Sequence, residues 1–132
     1  MKYALITGGA SGMGRATALE LAKNGYTVFS CDINTCPETV ENIIQIKTDV
    51  TSLSSVQNAL KEVLKVTDKL DAVINFAGII MMNSLIEISE EEFIKIFNVN
   101  VLIPSSFNMF SATVANPVPA NAVTEFISVS KI

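Results

Sequence analysis

The chain has 132 residues, 49% of them hydrophobic and 17% charged, which suits one globular domain and excludes a disordered chain. Nine basic against 13 acidic side chains leave a net charge of −4, so no basic footprint points to nucleic acid or to an anionic membrane surface. Histidine is absent, which removes Ser-His-Asp and Cys-His nucleophile chemistry and any His-ligated metal site. Cys31 and Cys36 match neither a zinc spacing nor a disulfide framework, so no metal is expected and a reducing, cytoplasmic setting is. The apolar run from Ala72 to Met82 is interrupted by Asn75 and Asn83 before a membrane span forms, and the N-terminus shows no export signal.

In chain order, Tyr3 to Thr7 is a short apolar run closed by glycines, which predicts a buried strand. Gly12 to Asn24 has helical periodicity, with Gly14, Ala18, Leu21, Ala22 and Gly25 on one face and Gly25 as terminator. Thr27 to Cys31 and Ile43 to Lys47 predict the second and third strands. Thr51 or Ser52 caps a helix running to Val66, whose apolar face is Val56, Ala59, Leu60, Val63 and Leu64. Ala72 to Phe76 predicts a fourth strand. Ser89 and Glu92 form a capping box, with Ile88 and Phe93 as its staple, opening a helix with the stripe Phe93, Ile96, Phe97. The next position on that stripe is the polar Asn100, a local inconsistency of the kind found at functional sites. Beyond Val101 the pattern degrades: Pro104 breaks the helix, 116–121 reads as loop, and Phe126 to Val129 predicts a fifth strand.

Strands alternating with helices imply βαβ units: an α/β, Rossmann-like, doubly wound parallel sheet of about five strands with helices on both faces. Residues 1–132 form a single dinucleotide-binding domain in this reading, with 102–132 as an atypical tail. Ligands of such sheets bind at the carboxyl ends of the strands, where Gly8 to Gly14, Asp32, Asp49 and Asn75 to Gly78 all fall.

The segment Thr7-Gly8-Gly9-Ala10-Ser11-Gly12-Met13-Gly14 follows a strand and opens a helix. A dinucleotide pyrophosphate needs exposed backbone N–H groups at a helix N-terminus and no side chains in its way. Gly8 permits the tight turn, Gly12 lets backbone approach phosphate, and Gly14 lets the helix pack close to the sheet. Asp32, 18 residues after Gly14, is placed to accept hydrogen bonds from adenosine ribose hydroxyls and to repel a 2′-phosphate, which favours NAD over NADP. It is alternatively an ordinary turn aspartate before Asn34 and Pro37.

TGGASGMG resembles the cofactor motif of the short-chain dehydrogenase/reductase family, and so do the motifs after it, in the right order, over residues 1 to about 101. Asp49-Val50-Thr51 resembles the family's adenine-contacting segment, Asn75-Phe76-Ala77-Gly78 its NNAG motif, and Asn98-Val99-Asn100 the segment carrying its catalytic Asn, here Asn100. The resemblance implies cofactor contacts at Gly8, Ser11, Gly12, Met13, Gly14, Asp32, Ile33, Asp49, Val50, Asn75, Ala77 and Gly78. It implies NAD(H)-dependent hydride transfer between nicotinamide and an alcohol or carbonyl. In the family, Asn100's bond to helix carbonyls helps position a water in a proton relay. Several of these residues have plainer roles open to them. Asp49 can start the turn into the next helix, Asn75 can satisfy neighbouring backbone, Gly78 can be a turn glycine, and Asn100 a core polar residue. Arg15 reads more readily as a surface charge than as a phosphate ligand, Met81-Met82 more readily as core or interface than as the lining of a substrate cleft, and Cys31 as a small buried apolar residue.

The family's acid/base Tyr and its Lys come as Tyr-x-x-x-Lys. Only Tyr3 and Tyr26 occur here, followed four residues later by Thr7 and Ser30. Ser130 is the candidate for the family's catalytic Ser, although Lys131 stands in the register that residue usually occupies. Phe76 replaces the second Asn of NNAG, and Leu102, Ile103 and Pro104 stand where a small residue is usual. A truncated or frameshifted reading frame, or a divergent paralogue, gives such a tail. The expectation is therefore a fold incomplete relative to the family and inactive alone, acting on a small alcohol or carbonyl if completed. A non-catalytic NAD-binding module or an inactive fragment is the alternative. An uncovered edge strand and helix face predict a homo-oligomer.

Overall fold

A computed structural model of the chain describes residues 1–82 and 86–102. Its elements are β1 (Lys2–Thr7), α1 (Gly12–Lys23), β2 (Tyr26–Asp32), β3 (Ile43–Lys47), α2 (Leu53–Leu64), β4 (Ala72–Asn75) and α3 (Glu90–Phe97). A π-helical turn, Asn98–Leu102, continues α3. All strand pairs are parallel, in the order β3-β2-β1-β4. Strand order thus reverses between β1 and β4, which opens a crevice beyond their carboxyl ends. The described residues contain four strands of the about five expected for the chain. The predicted fifth, Phe126 to Val129, lies outside the described residues, as do 105–111, 116–121 and Ser130.

The period-two alternation of β1 and β2 divides the core between two faces. Ile6 and Val28 pack against Ala18 and Ala22 of α1. Leu5, Phe29 and Cys31 pack with Val56, Ala59 and Val63 of α2, and Val50 and Val99 join them. Helices therefore cover both faces of a sheet whose central strands are buried. The small residues of α1 matter here, because Ala18 and Ala22 let its backbone lie close to the strands.

Local chemistry sets the helix ends. Ser52, not Thr51, caps α2: its hydroxyl accepts from the Ser55 N–H at 3.4 Å, and the helix is shorter at both ends than the expected Thr51 to Val66. Leu64, the last residue of α2, is 51% exposed and so is not part of the buried face. At α3 the capping box is present. Ser89 Oγ accepts from the Glu92 N–H at 3.2 Å, and Glu92 Oε2 accepts from the Ser89 N–H at 2.9 Å. The apolar stripe of α3 behaves differently from its expectation. Phe93 and Phe97 stack on each other at 6.3 Å but remain 58% and 45% exposed, because no described residue covers them. No helix among the described residues is long and apolar enough to cross a membrane.

Candidate functional site

The carboxyl ends of β1, β2, β3 and β4 surround a cleft of about 610 Å³. That volume lies in the range of small-molecule and cofactor sites. The β1–α1 loop contributes Gly8, Ser11, Gly12, Met13 and Gly14 to its lining. The end of β2 contributes Asp32, Ile33 and Asn34; the end of β3, Thr48, Asp49, Val50 and Thr51. Phe76, Ala77, Gly78 and Ile79 follow β4, and Lys95 and Val99 come from α3 and its extension.

The β1–α1 loop is folded tightly on its neighbours. Gly8 has φ +72°, and a Cβ there would sit 2.7 Å from the Ala77 nitrogen and 2.8 Å from the Phe76 carbonyl carbon. Its N–H donates to the Cys31 carbonyl at 2.8 Å, which ties the loop to β2. Gly14 is buried, and a Cβ there would strike the Gly8 carbonyl oxygen and lie 2.8 Å from the Gly8 carbonyl carbon. The close approach that Gly14 allows is therefore helix on loop, where helix on sheet was expected. Gly12 faces open space, with nothing within 4 Å of a Cβ position. Ser11 is the N-cap of α1, yet its side chain makes no capping bond, and no acidic residue stands in the first turn. The first N–H groups of α1 thus face the cleft without a side-chain acceptor, at the positive end of the helix dipole.

Asp32 joins two parts of the cleft wall. Its Oδ2 accepts from the Ala10 N–H and its Oδ1 from the Asn34 N–H, both at 3.0 Å. A carboxylate offers about four acceptor directions, and the described residues use two of them. Asp49 takes the turn role that the sequence left open. Its Oδ1 accepts from the Thr51 N–H at 2.8 Å and the Thr51 hydroxyl at 2.6 Å, and these bonds hold its carboxyl below the usual carboxylate range. Beneath the β1–β4 end, the buried Thr7 hydroxyl donates to Asn75 Oδ1 at 3.2 Å and accepts from the Ala77 N–H at 3.3 Å. Asn75 therefore braces the strand end from behind and does not line the cleft. Cys31 is fully buried, and burial, with a smaller contribution from the charge of Asp32, outweighs a hydrogen bond with Thr48 to push its thiol up to about 11.

The model of the family described as short chain dehydrogenase matches residues 2–123. The chain belongs to the short-chain dehydrogenase family. The match runs past Val101, where the legible resemblance stopped. A diacetyl reductase of Staphylococcus epidermidis is 31% identical over 109 residues, covering 76% of this chain and 42% of that protein. An NADPH-dependent pterin aldehyde reductase of Arabidopsis thaliana is 37% identical over 106 residues, covering 74% and 44%. The crystal structure of a 3-ketoacyl-(acyl-carrier-protein) reductase from Brucella melitensis complexed with NADH superposes with a TM-score of 0.70 at 26% identity, covering 85% and 47%. The chain thus spans less than half the length of the relatives it matches.

Short-chain dehydrogenase motifs that lie far apart in the sequence meet in this cleft. Eleven of the twelve expected cofactor-binding residues line the cleft, namely Gly8, Ser11, Gly12, Met13, Gly14, Asp32, Ile33, Asp49, Val50, Ala77 and Gly78, and Asn75 stands behind it. Asn100 pairs with backbone, but not with the helix carbonyls expected. Its Oδ1 accepts from the Ile79 N–H and its Nδ2 donates to the Ile79 carbonyl, both at 2.9 Å. It thereby fastens the segment after Gly78 to the end of α3. The π-helical turn brings this about, since it carries Asn100 toward the β4 loop. Arg15 is not a surface charge: its side chain is only 12% exposed and lies 3.6 Å from the Glu38 carboxylate. Met82 is 90% exposed and so is not core. The reading from sequence missed Asn34, Thr48, Thr51, Phe76, Ile79, Lys95 and Val99. Position after a strand end was a usable signal for Asn34, Thr48 and Ile79, whereas nothing local marks Lys95.

Proposed function

We propose that the chain is the cofactor-binding part of an NAD(H)-dependent oxidoreductase acting on an alcohol or carbonyl. The observation that carries this reading is the uncapped N-terminus of α1, open at Gly12, in a cleft with Asp32 beside it. A pyrophosphate fits there, against backbone N–H groups of Ser11 to Gly14. Asp32 and Ile33 would hold the adenosine ribose, Asp49 and Val50 the adenine, and Ala77 and Gly78 the second ribose, braced by Asn75. A bound nicotinamide supplies the hydride chemistry. Asn100 fixes the backbone of Ile79 beside that end of the cleft, and Ser130 is the candidate for steadying a substrate oxygen.

A carboxylate at Asp32 repels a 2′-phosphate, which supports NAD over NADP. Titration with NADH and NADPH tests both claims. NADH should bind more tightly, and Asp32→Ala should move the preference toward NADPH. No NADH binding at millimolar concentration would refute the dinucleotide reading, and an unmoved preference would refute the role of Asp32. A second reading, a binding module without catalysis, is favoured by one observation: no Tyr in these residues is followed four positions later by Lys. Without that proton donor the rate falls by several orders of magnitude. These residues alone should therefore bind NADH and leave a panel of secondary alcohols unoxidised, and measurable turnover would overturn that expectation. The exposed Phe93, Ile94 and Phe97 support a homo-oligomer, and the free cysteines a reducing, cytoplasmic setting.

A further inference from the structure

The segment between β2 and β3 has no secondary structure of its own, and most of residues 33–39 are exposed. It nevertheless shapes the cleft, because Ile33 and Asn34 line it beside Asp32. A side chain of β3 holds it in place. Gln45 is half-buried and spends its whole amide on this segment. Its Oε1 accepts from the Cys36 N–H at 2.7 Å, and its Nε2 donates to the Cys36 carbonyl at 3.0 Å and the Glu38 carbonyl at 3.1 Å. The Arg15–Glu38 pair reaches the same segment from α1, but Glu38 is 80% exposed, so solvent screens that contact. Three hydrogen bonds from one half-buried amide are the stronger restraint.

We propose that Gln45 is a positioning residue that sets cofactor affinity at the adenosine end of the cleft, resting on the dinucleotide reading above. It is not itself one of the residues that line the cleft. It acts through Cys36 and Glu38 on the backbone of Asn34, whose N–H in turn holds Asp32 Oδ1. A preorganised acceptor binds more tightly than one that must be ordered on binding. The effect is therefore confined to the half of the ligand that meets Asp32.

The test compares the unaltered chain with Gln45→Leu, which keeps the bulk and removes all three bonds. Titrations with NADH, AMP and nicotinamide mononucleotide are read beside amide hydrogen exchange at Asn34 and Cys36. NADH and AMP should weaken about tenfold, nicotinamide mononucleotide should stay within about twofold, and both amides should exchange at least about tenfold faster. Gln45→Met likewise removes all three bonds and serves with the same readouts if Gln45→Leu does not fold. Unchanged AMP affinity, an equal loss for nicotinamide mononucleotide, or unchanged exchange would overturn the proposal. Failure of the unaltered chain to bind NADH would instead remove the dinucleotide reading, and this role of Gln45 with it.

Discussion

Replacing Gly8 by Ala separates two demands that the β1–α1 loop makes on its glycines. At φ +72° an alanine costs about 1–2 kcal/mol from backbone strain alone. Its Cβ would also lie 2.7 Å from the Ala77 nitrogen and 2.8 Å from the Phe76 carbonyl carbon. Both are backbone atoms of the segment after β4, which is held to β1, since the Phe76 N–H donates to the Thr7 carbonyl at 2.9 Å. Relieving that overlap costs about 1–3 kcal/mol more. The sum, about 2–5 kcal/mol, is a large part of the about 5–15 kcal/mol that holds a typical domain together. Gly12→Ala is the control. Its φ of +54° carries the same strain, but nothing lies within 4 Å of its Cβ, so about 1–2 kcal/mol is the whole cost. Urea unfolding measures both. At a slope of about 2 kcal/mol/M, the midpoint for Gly8→Ala should fall by about 1–2.5 M and clearly further than for Gly12→Ala. NADH titration should rank Gly12→Ala as a strong loss despite its milder unfolding, because its Cβ faces the cleft. A Gly8→Ala variant no less stable than Gly12→Ala would refute the packing argument.

Two further outcomes follow from side chains outside the loop. The Cys31 thiol rises from 9.0 to about 11 on folding, so the folded state favours the neutral form. Its stabilising effect is complete below pH 9 and is lost as pH rises toward 11, so denaturant midpoints should decline over that window and flatten in Cys31→Ala. A thiol reagent should label Cys36 in the native chain at pH 8 and leave Cys31 unmodified until unfolding. Equal labelling would refute the burial of Cys31. Asn100→Ala removes two hydrogen bonds to Ile79, and because the site is exposed the loss should be only about 1 kcal/mol. Faster amide exchange at Ile79 should accompany it, and unchanged exchange would show that Asn100 does not fasten that segment.

The order of strands and helices was legible because apolar periodicity and end signals are local. The run Tyr3 to Thr7, the Ser89–Glu92 box and the alanines of α1 each state their role within a few residues. The cofactor motif was legible for the same reason, since glycine spacing between a strand and a helix is a local pattern. What the residues of that motif touch was not. Gly14 meets the Gly8 carbonyl, Asn100 meets Ile79, and Arg15 lies against Glu38, partners between 6 and 23 positions away that only the parallel pairing of β2, β1 and β4 brings near. Gln45 shows the limit most plainly. In sequence it is a polar residue within a strand, and its three bonds to the β2–β3 segment exist only once the chain has turned back at Asn42. Composition and periodicity thus determined the fold class, and the resemblance of the motifs pointed to the family. The identities of the contacts at the cleft are set by register and packing between distant segments, and those belong to the tertiary structure alone.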